Sequence, residues 1–350
     1  MLRGAIVGLG NVAINGHLPG WEGCERAQIV AAADAMQTRL DEARCRLPTA
    51  GLYTDVEALL SSEPLDFLDI CTPPVTHASL IRLALDRGLH VLCEKPLVLS
   101  TDELRMVTHA QVDSACVLHT VHNWQYAPII LKATDLIRQG RIGTVRRVNW
   151  QVHRHEPSVA VQSSSRSVER TVCDNWRLDP AIAGGGILLD HGYHALYIVL
   201  SWLNEEPRTV AATLEKRTHP EWPVEDTATV RLHCPESVAD IFLTWAASSR
   251  SNSAVIEGTS GTIRVDDDIL LLTDNDGQQR WEFEQSLSKG SHHPDWFSRV
   301  RDDFLQEISD TERQGKNLAR ASYCVQLLHR AKESHARAGQ PLAVSDRRQG

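Results

Sequence analysis

The chain has 350 residues and a formal charge of −9 at pH 7, with 42% hydrophobic and 23% charged residues and no biased tract. That length can bury one large or two ordinary cores, and an acidic chain without a basic run is not built to neutralise nucleic-acid phosphates. Eight cysteines lack the close pairs of a zinc site, and glycines break the apolar start at 4–10 before it could span a bilayer, so a cytoplasmic protein with reduced thiols and neither nucleic-acid nor membrane partners is expected.

Residues 3–10 form an apolar strand that runs into Gly8-x-Gly10-x-x-Ala13. Glycine at the first position permits a tight turn, and at the second it lets backbone approach a pyrophosphate. A small third residue lets the helix opened by Asn11 and Val12 pack on the strand and aim its N–H groups at phosphates. A second strand, Ala27 to Ala33, ends in Asp34, 21 residues after Ala13. At that separation a carboxylate can accept from the ribose hydroxyls of an adenosine, and it would repel a 2′-phosphate. NAD is therefore expected rather than NADP, with Arg39 able to soften the preference.

The alternation continues. Thr54-x-x-Glu57 reads as a capping box, Asp66 to Cys71 as a third strand, and Thr72-Pro73-Pro74 as a stiff break before an amphipathic helix from Val75 to Arg87. The run Leu89–Cys93 is a short buried strand that ends in Glu94-Lys95-Pro96, which puts Lys95 just past a strand's carboxyl end, where parallel sheets present ligand-handling groups. A helix capped by Ser100 with Glu103 and a strand at Cys116–His122 complete the pattern. Repeated βα units of this length imply a parallel sheet with right-handed crossovers.

Residues 127–139 read as a helix stopped at Gly140, and Val145–Val152 as a strand. Pro157–Arg170 lacks periodicity and is expected to be a surface loop or lid. Arg154, Arg166 and Arg170 are either its incidental charges or partners for an acidic substrate. After Gly184-Gly185-Gly186 a helix should begin at Gly186, with Asp190 and His194 one turn apart on one face. Val210–Leu214, Thr227–His233, Ala239–Trp245, Ser253–Glu257, Thr262–Val265 and Ile269–Thr273 alternate as strands of a mostly antiparallel sheet. Helices near Trp296–Gln314 and Ala319–Ala338 close the chain. The expected fold class is α/β plus α+β, with an N-terminal Rossmann domain over 1–123 and an α+β domain with an open sheet over 124–345.

With Gly8-x-Gly10, Asp34, Cys71-Thr72-Pro73-Pro74, His77 and Glu94-Lys95-Pro96 in order, then Trp176-Arg177 and the run from Gly184 to Asp190-His191-Gly192-Tyr193-His194, the chain resembles a known family. This is the glucose–fructose oxidoreductase and inositol 2-dehydrogenase (Gfo/Idh/MocA) family of NAD(P)-dependent enzymes, matched over about residues 1–345. The resemblance implies that Lys95, Asp190 and His194 line the substrate site, and that Thr72, Pro73 and His77 border the cofactor with Glu94 at its nicotinamide end. It also implies a cis Lys95–Pro96 bond, a place for Trp176 and Arg177 in the substrate pocket, and a homodimer or homotetramer formed through the C-terminal sheet. Three departures surround the substrate and bear on its identity. Asn123-Trp124-Gln125 lacks the family's arginine, His191 follows Asp190, and Tyr197 stands where an acidic residue is common.

Oxidising a secondary alcohol requires a hydride to leave for nicotinamide while the hydroxyl proton goes to a base. His194 suits that task near neutral pH, Lys95 can stabilise alkoxide character on the same oxygen, and Asp190 can orient either partner. His122 at a strand end, Asn123 and His191 are further candidates for substrate contact, whereas His119 reads as structural. The substrate expected is a sugar, cyclitol or related polyol. Alternatives are an NAD-dependent glycosidase on the same scaffold, a nucleotide-binding protein without turnover, and a metal hydrolase using Asp190, His191 and His194. Adjacent Asp190 and His191 would point about 100° apart on a helix, which argues against the last, and no metal is expected.

Overall fold

Six short strands build an all-parallel sheet: β1 (Leu2–Val7), β2 (Ala27–Ala33), β3 (Gly51–Tyr53), β4 (Phe67–Ile70), β5 (His90–Cys93) and β6 (Leu118–Thr120). Their order is β3-β2-β1-β4-β5-β6, the doubly wound Rossmann arrangement. Ala5, Ile6, Phe67, Leu68, Ile70, Val91 and Leu92 are fully buried. Strands covered on both faces read as continuous apolar runs, which is how they appear in the sequence. The order reverses between β1 and β4, so the crevice for a ligand lies beyond their carboxyl ends, where Gly8 and Thr72 stand.

This computed structural model describes residues 1–156, 175–289 and 293–344. The expected loop or lid at Pro157–Arg170, with Arg166 and Arg170, lies outside the described residues. The chain divides into two compact units, one formed by 1–123 with 293–322 and the other by 124–156, 175–289 and 323–344. The helix Pro294–Ser309 thus belongs to the first unit. Phe304 lies edge-on to Phe67, 5.7 Å between ring centroids, and Arg26 Nη2 donates to the Leu305 carbonyl at 2.7 Å.

Local capping follows the sequence with one correction. Ser100 and Glu103 form the expected reciprocal box, Glu103 N–H donating to Ser100 Oγ and Ser100 N–H to Glu103 Oε2, each at 3.1 Å. The helix Val56–Ser62 is capped one residue later than expected, by Asp55, whose Oδ1 accepts from Ala58 N–H at 2.7 Å. An ionised Asp is a stronger acceptor than the Thr54 hydroxyl.

The second unit carries a nine-stranded mixed sheet made of β7 (Val145–His153), β8 (Thr209–Glu215), β9 (Thr227–His233), β10 (Val238–Thr244), β11 (Ser251–Gly258), β12 (Gly261–Asp266), β13 (Ile269–Asp274), β14 (Gly277–Glu282) and β15 (Leu342–Ala343). The order is β14-β13-β12-β11-β7-β10-β9-β8-β15, with β7 and β10 parallel and the other pairs antiparallel. Ala239, Ile241 and Leu243 point to the buried face of β10, where the helix Tyr193–Leu203 packs and Trp202 meets Trp150 at 5.6 Å. On the other face Asp240 bridges Arg147 at 3.0 Å and Arg231 at 2.6 Å. The six strands expected between 208 and 284 are present. Sequence missed β14, an edge strand of Gly-Gln-Gln-Arg-Trp-Glu without alternation, and the two-residue β15. No described helix is long and apolar enough to cross a membrane.

Candidate active site

The glycine turn is shaped as its composition requires. Gly8 has φ +88°, and a Cβ there would lie 2.8 Å from the Thr72 backbone nitrogen, so only glycine fits. At Gly10 a Cβ would meet nothing within 4 Å, which leaves the room a pyrophosphate needs. Asn11 and Val12 then open the helical turn, and Ala13 is fully buried against the sheet. Asp34 is fixed from two sides, its Oδ2 accepting from Leu9 N–H and its Oδ1 from Met36 N–H, both at 2.8 Å. Arg39 approaches the same carboxylate at 3.4 Å. An open glycine cradle beside a pinned, buried carboxylate fits a dinucleotide.

Past β5 the Lys95–Pro96 peptide is cis, as the family resemblance implies. His77 is fully buried, its Nδ1 2.9 Å from the Pro96 carbonyl and its Nε2 2.9 Å from that of Thr72. It therefore ties the Thr72-Pro73 break to the Glu94-Lys95-Pro96 corner. Burial pushes its pKa down, against the two carbonyls that favour the charged ring.

Glu94 is held from behind by a network that sequence reading missed. His17 Nε2 lies 3.0 Å from Glu94 Oε1, and Nδ1 lies 2.9 Å and 3.0 Å from the Asp69 oxygens. The second Glu94 oxygen accepts from Lys95 N–H at 3.0 Å, and Trp21 Nε1 donates to Asp69 at 2.8 Å. Burial alone would lower the His17 pKa, but the Asp69 charge and the bonds to Asp69 and Glu94 outweigh it and raise it to about 9. Burial works against the Glu94 charge as well, yet His17 and Lys95 hold its carboxyl below the usual range. Cys71 Sγ stands 3.1 Å from His17 Nδ1, and burial beside these carboxylates pushes its thiol up, keeping it protonated. His17, Asp69 and Cys71 are the grouping among the described residues whose donor atoms lie close enough for an ion. The histidine nitrogen is already engaged by Asp69.

His122 and Asn123 follow the end of β6. His122 is buried and its pKa falls well below the ordinary value, chiefly through burial, with Arg320 and His119 adding to it. Asn123 Oδ1 is buried without a hydrogen-bond partner among the described residues. His119 is structural, paired with Glu307 at 2.6 Å and 3.0 Å from Asn317 Nδ2.

In the second unit the glycine triplet has a steric cause. Gly184 ends a short helix at φ +78°, and a Cβ on Gly186 would lie 2.0 Å from the Glu225 carbonyl oxygen. That approach lets Ile187 N–H donate to Glu225 O at 3.3 Å and Leu188 N–H to Glu225 Oε1 at 3.1 Å. The expected α-helix from Gly186 is instead a π-helical turn, Leu188–Gly192, followed by the α-helix Tyr193–Leu203. Such wider turns recur at functional sites because they re-aim side chains. Here Asp190 lies 3.4 Å from His191 Nδ1 and 3.7 Å from Arg177 Nε, and Arg177 covers the Trp176 ring at 4.4 Å.

His194 is buried and held by residues not assigned a role from sequence. Its Nδ1 is 2.8 Å from the Tyr197 hydroxyl, which also accepts from Trp124 N–H at 2.9 Å. The Trp124 ring stacks on the imidazole at 4.4 Å and 11°. Both residues had registered only as departures from a family pattern. Asp190, His191, His194, Trp176 and Arg177 lie together in this unit, whereas Lys95, Glu94 and the glycine turn lie in the first.

A Rossmann sheet with this glycine turn, joined to a mixed-sheet unit bearing a buried histidine, defines the class of two-domain NAD-binding oxidoreductases. Residues 2–122 match the oxidoreductase family with an NAD-binding Rossmann fold, and residues 130–264 the GFO/IDH/MocA C-terminal domain. A D-apiose dehydrogenase of Paraburkholderia graminis is 30% identical over 281 residues, covering 78% of this chain and 70% of its own. A D-xylose 1-dehydrogenase (NADP(+)) of Haloferax volcanii is 30% identical over 213 residues, 61% and 60% of the two chains. Among solved structures, an Agrobacterium radiobacter oxidoreductase in complex with NAD+, L-tartaric acid and magnesium superposes with a TM-score of 0.84 at 21% identity, covering 98% of each chain. The chain belongs to the glucose–fructose oxidoreductase and inositol dehydrogenase (Gfo/Idh/MocA) family.

Proposed function

We propose that the protein is an NAD-dependent dehydrogenase that interconverts a secondary hydroxyl and a ketone on a sugar, cyclitol or related polyol. The observation that carries this reading is the buried His194, stacked on Trp124 and bonded through Nδ1 to Tyr197, on the helix that directly follows the turn bearing Asp190. Sugar dehydrogenases among the relatives support the substrate class. The cofactor would rest its pyrophosphate against Gly8, Gly10, Asn11 and Val12 and its adenosine ribose against Asp34, with Thr72, Pro73 and Glu94 along the edge that His77 clamps. When bound, it supplies the hydride acceptor.

His194 takes the hydroxyl proton through Nε2, Lys95 hydrogen-bonds the same oxygen, and Asp190 orients the substrate. His122, Asn123, Trp176, Arg177 and His191 contribute contacts. Such a base is worth ~10²–10⁴-fold in rate. NAD is preferred over NADP because the fixed Asp34 carboxylate repels a 2′-phosphate more than Arg39, at 3.4 Å from it and partly exposed, attracts one. The working state is a cytoplasmic homodimer or homotetramer formed through the C-terminal sheet.

The test is NADH formation over a panel of sugars and polyols. Lys95→Ala should cut turnover by orders of magnitude while NAD binding stays nearly intact, and unchanged turnover would refute the mechanism. Release of free sugar without net NADH would favour the glycosidase alternative.

A further inference from the structure

Strand β7 alternates strictly toward its end. Val148, Trp150 and Val152 are buried, and Trp150 touches Trp202 of the helix that carries His194. Arg154 continues that buried set one residue past the strand. Its guanidinium therefore enters the helix-covered side of the sheet and does not belong to a surface loop, as the sequence had suggested. Arg154 is 2% exposed. Nη1 donates to the carbonyls of His153 at 2.7 Å and Ser251 at 3.1 Å, and Nη2 to Asn252 Oδ1 at 3.1 Å. Nε is buried with no acceptor among the described residues. Its Cζ lies 5.8 Å from the Trp124 ring, the same ring that stacks on His194.

The three acceptors that Arg154 has among the described residues are neutral. Burial and the like charge of Arg250 draw its pKa down to about 10, against the weaker pull of Asp267 and Asp190, and it still carries its charge at neutral pH. Those two carboxylates have other partners. Asp267 accepts from Asn252 N–H at 2.9 Å and Ser288 Oγ at 2.6 Å, and Asp190 pairs with Arg177. A buried cation bonded only to neutral groups, with one donor orphaned, is costly unless a charge arrives to complete it.

We infer that the substrate carries an oxyanion, and that Arg154 is the residue that binds it. The chemical class is then a sugar acid or polyol acid. An oxyanion would accept from Nε and supply the missing counter-charge beside the Trp124–His194 stack. This inference rests on the dehydrogenase reading above and narrows its substrate.

The experiment compares matched pairs on the intact protein: uronates and aldonates, each against its neutral sugar or polyol twin, with a sugar phosphate as a third arm. Two readouts are taken, NADH formation and the rise in melting temperature of the NAD-loaded protein. Wild type should favour the acid by at least tenfold in kcat/KM, and Arg154→Gln should reduce that ratio at least tenfold. Arg154→Lys, which keeps the charge and supports the fold, should lose part of the ratio, and it carries the comparison if Arg154→Gln does not fold. A sugar phosphate that wins and loses its advantage in the variants keeps the oxyanion and identifies it as phosphoryl. Neutral twins used as well as acids, or a ratio unmoved by the substitutions, overturns the inference. If no compound yields NADH, the dehydrogenase reading fails. The oxyanion site is then judged by melting temperature, where an acid-specific rise that Arg154→Gln abolishes upholds it and an equal response to both twins refutes it.

Discussion

His17 Nε2 sits 3.0 Å from Glu94 Oε1, and this one contact joins the helical turn after the glycine loop to the corner that presents Lys95. The opposite ring nitrogen faces Asp69, so an imidazolium lies between two carboxylates and donates to both. Phe297 stacks on the ring at 3.9 Å and shields it from water.

Stability should therefore depend on His17 at alkaline pH. Its folded pKa, about 9, stands above the ordinary 6.5, so its contribution is complete below about 6.5 and is lost as pH rises through 9. Glu94 works in the other direction, adding stability above its ordinary value and losing it as pH falls through its lowered one. The melting temperature of wild type should drop between pH 7 and pH 10 by more than that of His17→Gln, measured by thermal unfolding across the range. At pH 7 the substitution should cost roughly 3–5 kcal/mol, because the buried Asp69 and the partly buried Glu94 lose their cation. Parallel pH profiles for the two proteins would show that the ring is neutral.

Tyr197 should matter through His194. Tyr197→Phe removes the hydroxyl bonded to Nδ1 and leaves Trp124 N–H without its acceptor. The expected result is a fall in kcat of about tenfold, the worth of one buried hydrogen bond, with the KM for NAD little changed. An equal loss in both parameters would point to a collapsed site instead of a misdirected base.

The first sheet was readable because each of its signals is local: an apolar run, a glycine turn, a carboxylate at a fixed separation. His17 escaped notice because its partners, Asp69 and Glu94, are 52 and 77 residues away. No local pattern marks a lone histidine inside an amphipathic turn. The placement of Pro294–Ser309 with the first unit was hidden for the same reason, since its anchor Phe304 finds Phe67 across most of the chain. Arg154 was visible as a residue but was misread, because the alternation of Val148, Trp150 and Val152 was followed only to the end of the strand.

The two glycines test sterics against ligand space. Gly186→Ala would drive a methyl group to 2.0 Å from the Glu225 carbonyl oxygen, so the turn bearing Asp190 must shift. A loss of melting temperature and of soluble yield is expected. Gly10→Ala meets nothing within 4 Å in the chain and should melt within about two degrees of wild type. Its NAD affinity should nevertheless fall at least about tenfold, because the added carbon occupies the space assigned to pyrophosphate. Calorimetric titration with NAD separates the two effects, and undiminished affinity in Gly10→Ala would remove the phosphate from this turn.

Asp34 and Arg39 should set the cofactor ratio jointly. The carboxylate is held by two backbone N–H groups and cannot swing away from a 2′-phosphate, whereas the Arg39 side chain is partly exposed and approaches only at 3.4 Å. A partly exposed cation at that range is screened and can offset only part of a buried anion's repulsion. Wild type should therefore favour NAD in kcat/KM. Asp34→Ala should weaken NAD through the lost ribose contact while improving NADP, since Arg39 is then released toward the phosphate. The double variant Asp34→Ala with Arg39→Ala should lose that gain. Steady-state kinetics with both cofactors on one substrate would measure all three proteins, and an NADP preference in wild type would mean that Arg39 already governs the pocket.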